Sequence, residues 1–356
     1  IDMGSGGGAI EAALDHTTPE PVRLHAALRD LVAYKVTHLA MEASSHGLAQ
    51  YRLDGVRLSL AGFTNLSRDH LDYHASREDY AAAKQRLFTD VLAQDGTAVI
   101  TMTHEAGLAM AEACVAAGRK VLKVGREGDA IHMSITGRRA TGLDVAVMAD
   151  GAHHNIVLPL IGDFQIENLT LAMGMAKAAG IDTETMLDAC RDLQTPRGRM
   201  QMAGRTAAGA AIFVDYAHTP DALENALTAL RRHVPQGARL LVMFGCGGDR
   251  DSGKRPEMGA IAAANADKVF VTDDNPRHEA AADIRAAILA ACPDAIEIGE
   301  RGEAIAAALD AAQADDLVLL AGKGHESGQI IGDIILPFDD VTMAQTILAS
   351  KGGHHA

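Results

Sequence analysis

The chain has 356 residues, which is long enough for two domains that each bury a core of their own. A hydrophobic content of 48% and a charged content of 22% are typical of a globular protein. The net charge of −15 and the absence of Trp argue against a general nucleic-acid-binding or membrane-surface protein. No apolar run approaches the ~20 residues that a membrane-spanning helix needs. The four cysteines lie far apart, which indicates reduced thiols in a cytoplasmic protein.

The chain begins with Ile1, and Gly4–Gly8 contains four glycines and a serine, a flexible, linker-like composition. We therefore expect the sequence to be the later part of a longer protein.

Strand-like and helix-like segments alternate along the first half, which predicts an α/β fold with mostly parallel sheets. A helix is predicted from the segment Gly162–Asn168 to about Ala179, where Gly180 ends it. Shorter alternating runs between Ile131 and Leu160 predict an antiparallel patch. The predicted strands of this half are Thr37–Ala43, Leu58–Asn65, Thr97–Met102 and Val121–Val124.

The segment Thr195–Met200 carries Pro and Gly between two periodic regions, which predicts a boundary between a domain of residues 1–197 and one of residues 198–356. Strands and helices alternate again beyond it, which predicts a doubly wound sheet with ligand loops at the carboxyl ends of its strands. The predicted buried strands are Ala211–Val214, Leu240–Phe244, Lys268–Thr272, Ile296–Ile298 and Leu317–Leu320. The predicted helices are Asp221–His233, Ala280–Ala291 and Glu303–Ala312.

Ionisable side chains follow two predicted strands of the first half. Glu42 lies at the end of the first strand and His70 follows the second, so both are expected at one edge of the sheet. Lys84 lies in a predicted amphipathic helix that buries Tyr80, Leu87 and Phe88, and taken alone it would be a solvated lysine.

Polar strings also follow the strands of the second half. Arg277, in Asp274-Asn-Pro-Arg, offers a planar fork that suits a carboxylate, and Glu326 offers a carboxylate for an ammonium group. Taken alone, this tetrapeptide would be a capped turn. Gly248–Lys254 fits G-x-x-x-x-G-K, but Arg255 stands where a magnesium-binding hydroxyl is required, so we interpret the string as a false phosphate loop.

The sequence resembles the Mur ligase family, in particular the members that add the third residue of the peptidoglycan stem. The resemblance extends over the whole chain and is strongest in FTNLSRDHLDYH (Phe63–His74), YAAAKQRLF (Tyr80–Phe88), DYAHTPDAL, GCGGDRD, DNPR and GKGHE. It implies the remainder of a central P-loop-type ATPase domain, followed by a doubly wound Rossmann-like C-terminal domain.

The resemblance also implies an ATP-dependent, amide-forming ligase. ATP would phosphorylate a carboxylate of UDP-N-acetylmuramoyl-L-alanyl-D-glutamate, and the amine of meso-diaminopimelate would displace the phosphate. Family members with DNPR accept meso-diaminopimelate, whose distal carboxylate lysine lacks. We expect a cytoplasmic monomer that does not bind nucleic acid or insert into a membrane.

The family's functional positions can be carried over residue by residue. Mg²⁺ would be held by Glu42, His70 and Lys84, the lysine as a carbamate formed with carbon dioxide. The UDP-muramoyl dipeptide would contact Thr17, Thr18, Ser44, Gln50 and Arg52. The nucleotide would contact Asn168, Arg199, Asp215, Tyr216 and His218. The incoming amino acid would contact Arg250, Asp274, Asn275, Pro276, Arg277, Gly322 and Glu326.

Two expected parts of the family's architecture, a glycine-rich phosphate loop and an N-terminal uridine-binding domain, are not found in these residues. A fragment that binds substrate without turning over ATP is therefore an open alternative. A folylpolyglutamate synthetase would share the metal-site lysine but should lack DNPR and EASSHGL. A nicotinamide-dependent oxidoreductase would explain the doubly wound sheet, but no G-x-G-x-x-G string opens a helix after a strand.

Overall fold

Two compact units make up the chain in this computed structural model, which describes residues 2–5, 8–11, 17–66 and 73–355. The first unit comprises Ile1–Met133, Val147–His154 and Ile166–Met186. The second unit comprises Ser134–Ala146, Asn155–Gln165 and Leu187–Ala356. The boundary between domains at residue 197 stays a prediction.

The N-terminal half contains short strands, helices and one π-helical turn, Leu87–Val91. Its elements are β1 Asp2–Ser5, β2 Gly8–Glu11, α1 Pro21–Ala33, α2 Ser45–Ala49, β3 Leu58–Phe63, α3 Arg77–Arg86, β4 Leu92–Thr101, α4 Glu105–Ala116 and β5 Lys120–Val124. Next come β6 Ile131–Arg139, β7 Gly142–Ala149, β8 Ala152–Leu158, α5 Phe164–Ala178 and α6 Thr183–Arg191.

The first unit contains a parallel sheet of order β3-β4-β5. Its central strand β4 contributes Val99 and Ile100, both fully buried, and the register pairs Phe63 with Ile100. These three strands confirm the strands predicted at Leu58–Asn65, Thr97–Met102 and Val121–Val124. The glycine-rich start, predicted to be linker-like, instead contains the antiparallel pair β1 and β2.

The strand predicted at Thr37–Ala43 is wrong. These residues are irregular, and Leu39 is 37% exposed. A strand persists only where a neighbouring strand satisfies its N–H and C=O groups. None of the strands within the described ranges pairs with this segment. The apolar run therefore has a strand-like sequence without the partner that a strand requires.

The patch predicted between Ile131 and Leu160 is a three-stranded sheet of order β6-β7-β8. Two-residue turns connect its consecutive strands, which is a connection that only antiparallel strands allow. The division between the two units passes through these strands.

The second unit is a doubly wound α/β domain, as predicted. Its sheet has the order β13-β12-β11-β14-β10-β9-β17, with parallel pairs from β13 to β10 and antiparallel pairs beyond β10. Its elements are β9 Gln201–Arg205, β10 Ala211–Asp215, α7 Pro220–Arg231, β11 Leu240–Phe244, α8 Lys254–Asn265, β12 Lys268–Val271, α9 Ala281–Leu289, β13 Ile296–Glu297, α10 Arg301–Ala311, β14 Leu317–Ala321, β15 Gly328–Ile331, β16 Ile334–Pro337, α11 Asp340–Ser350 and β17 His354–His355.

Both faces of this sheet are covered. Alternate side chains such as Val242 and Leu319 pack with α7, α8 and α9, whereas Leu241 and Leu320 pack with α10 and α11. Burial on both sides explains why β11 and β14 are uninterrupted apolar runs. The segment Ile296–Ile298 differs from the prediction: β13 has two residues and is exposed, because it forms the edge of the sheet.

A buried ion pair fixes two helices of this face at the carboxyl end of the sheet. Arg301, at the start of α10, and Asp340, at the start of α11, are both 0% exposed. The guanidinium donates to Asp340 Oδ1 at 2.8 Å and Oδ2 at 2.6 Å, and also to the carbonyls of Asp273 and Ala321. One arginine thus connects α10, α11 and the ends of β12 and β14.

None of the helices in the described ranges is both long enough and apolar enough to cross a bilayer. All four cysteines are free and buried.

We expect Arg301→Met to destabilise the second unit by about 3–5 kcal/mol, because it leaves Asp340 buried without its counter-charge. Urea unfolding followed by circular dichroism measures the change. The matched control is Lys351→Ala, which breaks the exposed pair of Lys351 with Asp310 and should cost less than about 1 kcal/mol. Equal losses in the two variants would contradict the assigned importance of the buried pair.

Candidate functional site

Thr18 organises the first group of predicted binding residues, in the first unit. Its buried hydroxyl donates to the Glu42 carbonyl at 3.0 Å and accepts from the Ser44 amide at 2.9 Å. Ser44 caps α2 by accepting from the Gly47 amide at 3.1 Å. Thr17 is exposed. Thr18 therefore fixes the start of α2, where Ser44 and Glu42 lie.

Arg52 and Gln50 complete this group. Arg52 donates to the Thr18 carbonyl at 2.8 Å and to Gln50 Oε1 at 3.0 Å, and it pairs with Glu20 at 2.9 Å. Gln50 also donates to the Tyr73 hydroxyl at 3.0 Å. Thr18, Ser44, Gln50 and Arg52 thus form one connected polar network, and Tyr73 is a member that the sequence analysis did not identify.

The predicted metal ligands can be followed only in part. His70 lies outside the described residues. The Glu42 side chain is exposed, and Lys84 is half-buried with its ammonium 5.1 Å from the centre of the Tyr80 ring. Neither side chain makes an ion pair with another described residue. The described His, Cys, Asp and Glu residues contain no cluster of three that could hold a metal. A carboxylate with a lysine carbamate fits Mg²⁺ in chemistry, because both supply oxygen.

Asn168 is the one predicted nucleotide contact in the first unit. It lies on α5 with an exposed side chain. Asp215, Tyr216, His218 and Arg199 all belong to the second unit.

The turn after β10 gathers these four residues. The Asp215 carboxylate accepts from the amides of Met200 at 2.7 Å and Ala217 at 2.9 Å, which ties the Arg199 segment to the strand end. The Tyr216 ring lies 5.3 Å from the Arg199 guanidinium and 4.4 Å from the His218 ring. Thr219 caps α7, and its hydroxyl accepts from the Ala222 amide.

Close backbone packing joins this turn to the GKGHE loop. Gly198 has φ +67°, and a Cβ there would lie 2.2 Å from the Gly324 carbonyl carbon, so only glycine fits. Tyr216 also stacks 4.9 Å from the ring of His325, a residue that the sequence analysis did not identify. The predicted nucleotide and amino-acid residues of this unit are therefore neighbours.

Burial controls the ionisation of this turn. It raises the pKa of Asp215, and the two amides that the carboxylate accepts from oppose the rise. Burial also raises the pKa of Tyr216, with a further contribution from the negative charge of Glu326. Tyr216 therefore stays a neutral hydrogen-bonding group.

The predicted amino-acid residues converge on a buried lysine. Lys323, in the GKGHE loop, is 0% exposed, and its ammonium donates to Asn275 Oδ1 at 3.0 Å. The ammonium lies 3.3 Å from Asp274 Oδ1 and 3.6 Å from Glu326 Oε2. Asn275 in turn donates to Glu326 Oε2 at 2.9 Å. Three predicted residues from two loops thus meet around a cation that the sequence analysis missed.

Two arginines lie beside this group. A Cβ at Gly247 would be 2.8 Å from Arg277 Nη1 and 3.9 Å from Arg250 Cγ, so both side chains approach the same loop. Arg277 has φ +53° and donates to the Gly248 carbonyl at 2.9 Å. Its backbone is held by the Ile330 carbonyl and the Gly332 amide. Pro276 is buried, whereas Arg250 is exposed. Gly322 has φ +112° and starts the loop that carries Lys323.

The false phosphate loop has structural partners of its own. The Lys254 ammonium donates to the His218 carbonyl at 2.7 Å, and the buried Arg255 pairs with Glu279 at 2.9 Å. These contacts hold the β11–α8 loop against its neighbours.

His278 is a further residue that the sequence analysis missed. Its Nδ1 lies 3.1 Å from Asp249, in the β11–α8 loop, and its Nε2 lies 3.2 Å from Asp333, in the β15–β16 turn. Hydrogen bonds to Asp249 and then to Asp333 raise the pKa of His278 above its ordinary value of 6.5. The imidazolium therefore joins three loops that surround the predicted amino-acid site.

The pKa of His278 is raised in the folded state, so the protonated imidazole stabilises the fold. This stabilisation is fully present below pH 6.5 and is lost as pH rises through the folded-state pKa. We expect the melting temperature of the wild type to fall slightly as pH rises from 6.5 through the folded-state pKa of His278. In His278→Gln, the contribution of His278 to this fall should be absent. The effect should weaken in high salt, because the group is exposed. His153→Gln, at an exposed histidine of the first unit, is the control. An unchanged pH profile in His278→Gln would contradict the assignment.

Two family models match this chain. The Mur ligase middle domain matches residues 2–176, and the Mur ligase glutamate ligase domain matches residues 198–324. The chain is 48% identical over 339 residues to the UDP-N-acetylmuramoyl-L-alanyl-D-glutamate–2,6-diaminopimelate ligase of Bradyrhizobium diazoefficiens, covering 94% of this chain and 69% of that protein. It is 47% identical over 337 residues to the ligase of the same name from Agrobacterium fabrum, covering 95% and 68%.

Solved structures agree. The structure of a UDP-N-acetylmuramoyl-L-alanyl-D-glutamate–2,6-diaminopimelate ligase aligns with a TM-score of 0.76 and 37% identity, covering 98% of this chain and 72% of that one. A folylpolyglutamate synthase from Thermotoga maritima aligns with a TM-score of 0.59 and 15% identity, covering 74% and 57%, a likeness of fold alone. The predicted fold and family are confirmed, and the oxidoreductase alternative is wrong. The chain belongs to the Mur ligase family.

Proposed function

We propose that this chain forms the amide bond between meso-diaminopimelate and UDP-N-acetylmuramoyl-L-alanyl-D-glutamate, at the expense of ATP. The observation that carries the proposal is the loop cluster at the carboxyl ends of β11, β12 and β14. There, Arg250 and Arg277 offer guanidinium groups for carboxylates, and Glu326 offers a carboxylate for an ammonium. These two guanidinium groups and one carboxylate suit an amino acid that has a second carboxylate. The relatives of 47% and 48% identity bear the name of the same ligase.

The reaction requires two transfers. ATP gives its terminal phosphoryl group to the D-glutamyl side-chain carboxylate, which forms an acyl phosphate. The neutral amine of meso-diaminopimelate then attacks the carbonyl carbon, the C–N bond forms, phosphate leaves with the C–O bond electrons, and the nitrogen gives up one proton to solvent. The loop cluster binds and orients the amine, and positioning of this kind supplies much of the rate.

The first unit is proposed to hold the UDP-muramoyl dipeptide. Thr18, Ser44, Gln50 and Arg52 form a connected set of donors and acceptors, and Thr17 is exposed beside it. Glu42, His70 and carbamylated Lys84 would hold Mg²⁺, which would neutralise phosphoryl charge when bound.

The Arg199–Tyr216–His218 group of the second unit is proposed to contact the nucleotide. A nucleotide contact of Asn168, on α5 of the first unit, is proposed from the resemblance alone. Arg199 supplies a positive charge for phosphate, and Tyr216 and His218 supply ring faces for the base. Asp215 is a positioning residue here, because its carboxylate holds the backbone of both segments.

We also propose that the protein acts as a monomer in the cytoplasm. Its four cysteines are free thiols, the state that cytoplasmic conditions maintain. Size-exclusion chromatography with light scattering tests the monomer, and a dimeric mass would contradict it.

We expect phosphate release from ATP and the UDP-muramoyl dipeptide to depend on meso-diaminopimelate and to be weak with L-lysine. No G-x-x-x-x-G-K-[ST] string occurs in these 356 residues, so two proteins are compared. One is the chain alone, and the other is the chain joined to the part of the Bradyrhizobium relative that lies outside the match. Release by the joined protein alone would indicate that this chain binds substrates but needs that part for turnover. Release from neither protein would contradict the proposed ligase.

We expect Arg277→Ala to raise the KM for meso-diaminopimelate about tenfold to a hundredfold and to leave the KM for ATP nearly unchanged. The reason is that a charge-assisted hydrogen bond is worth about 1.5–3 kcal/mol. Arg231→Ala, at an arginine paired with Asp267 at the end of α7, is the control and should change neither value. Equal changes in the KM for meso-diaminopimelate and the KM for ATP would contradict the proposed role of Arg277 in binding the amino acid.

The carbamate on Lys84 is tested directly by carbon NMR after incubation with ¹³C-bicarbonate. We expect a carbamate signal in the wild type that is absent in Lys84→Arg, together with loss of activity in that variant. Lys120→Arg, at an exposed lysine of the same unit, should retain both. A signal that survives Lys84→Arg would place the modification elsewhere.

A further inference from the structure

Lys323 is the most deeply buried charge among the loops of the proposed amino-acid site. Its side chain is 0% exposed, and its ammonium donates to Asn275 Oδ1 at 3.0 Å and to the Gly328 carbonyl at 2.8 Å. The nearest carboxylate oxygens are those of Asp274, at 3.3 Å, and Glu326, at 3.6 Å. Burial of an ammonium destabilises a fold unless partners compensate for its lost hydration. A role in filling space alone would be met as well by Met or Leu.

The contacts of Lys323 determine which way the Asn275 amide faces. Asn275 Oδ1 accepts from the Lys323 ammonium and also from the Ile330 amide, at 3.0 Å each. With two donors aimed at it, that atom must be the oxygen, so the amide nitrogen faces the other way. The nitrogen donates to Glu326 Oε2 at 2.9 Å. Lys323 and the Ile330 amide therefore together set the orientation of the hydrogen bond from Asn275 to Glu326.

Glu326 is thereby held through one oxygen. Its Oε2 takes the Asn275 hydrogen bond and faces the Lys323 charge, whereas Oε1 has no hydrogen bond to any described residue. The Glu326 side chain is 33% exposed, so part of it is accessible to a ligand. A carboxylate fixed at one oxygen and open at the other is pre-organised to accept from an ammonium group.

We propose that Lys323 is a positioning residue for the incoming amino acid, acting through Asn275 and through its own charge on Glu326. This inference rests on the proposed function and adds a residue to its specificity-determining set. Lys323 does not touch the ligand itself, because its ammonium is enclosed by Asn275, Gly328 and the two carboxylates. Its contribution is to keep Glu326 in the orientation that receives the amine end of meso-diaminopimelate.

The test is Lys323→Met in the protein that shows diaminopimelate-dependent phosphate release. We expect the KM for meso-diaminopimelate to rise about tenfold or more, since the charge-assisted hydrogen bond from Lys323 to Asn275 is lost and Glu326 is no longer positioned. The KM for ATP should stay within about twofold. The matched control is Arg239→Met. Arg239 pairs with Asp316, which is 2% exposed and precedes β14, so this variant breaks a buried pair at the opposite end of the same strand. It should lower the melting temperature without changing the KM for meso-diaminopimelate.

A double-mutant cycle separates positioning from general destabilisation. If Lys323 acts through Glu326, then Lys323→Met should add less than about twofold to the KM for meso-diaminopimelate in a Glu326→Gln background. Additive effects in the cycle, or an unchanged KM in folded Lys323→Met, would overturn the proposal. If Lys323→Met does not fold, Lys323→Gln replaces it, since its amide can still donate to the Gly328 carbonyl without a charge.

A measurement independent of turnover distinguishes this inference from the proposed function. In protein labelled with ¹⁵N-asparagine, the side-chain amide signal that disappears in Asn275→Asp reports the Asn275 hydrogen bond to Glu326. We expect that signal to shift in both Lys323→Met and Glu326→Gln, and not in Arg239→Met. A shifted signal, combined with release from neither the chain nor the joined protein, would refute the ligase and support the positioning contact. An unshifted signal would refute the contact.

Discussion

The carboxyl edge of the second unit's sheet depends on two buried cations. Arg301 joins α10 and α11 and the ends of β12 and β14, and Lys323 joins the loops that follow those two strands. Both are 0% exposed, so neither charge can be relieved by water if a partner is lost. Loops that would otherwise be mobile are fixed to a rigid scaffold at the place where ligands of doubly wound sheets bind.

This arrangement explains how an acidic protein can provide a site for an amino acid with two carboxylates. The net charge is −15, but Arg250 and Arg277 both approach one glycine, Gly247, and create a local positive region. Glu326 lies in the adjacent loop and supplies the opposite charge. Specificity then follows from the spacing of fixed charges rather than from the charge of the whole protein.

Much of the fold was accessible from the sequence, because strands buried on both faces are continuous apolar runs and their ends carry the polar strings. The segment Thr37–Ala43 shows the limit: its composition favours a strand, but composition does not reveal whether a partner strand exists. The prediction of a buried strand at Ile296–Ile298 differs from the structure for a related reason: the sequence does not show that this strand forms the exposed edge of the sheet. The predicted roles of individual site residues stay predictions, with His70 outside the described residues.

Lys323 and His278 were missed because sequence position does not identify partners that come from distant loops. A lysine between two glycines has the appearance of a solvated side chain, yet its partner Asn275 is 48 residues away. His278 bonds to Asp333, which is 55 residues away. The sequence did offer one signal for each residue: Lys323 lies within the string GKGHE, and His278 directly follows DNPR. Which of those neighbouring residues turn inward is decided by tertiary packing.

The central claim is that the loops after β11, β12 and β14 bind meso-diaminopimelate. Amide hydrogen exchange of the ligase, with and without saturating meso-diaminopimelate, tests it most directly. The account predicts slower exchange in residues 245–253, 273–279 and 322–328, and no change in α1 of the first unit. Protection that appears elsewhere, or none in these three loops under conditions where the amino acid is bound, would contradict it.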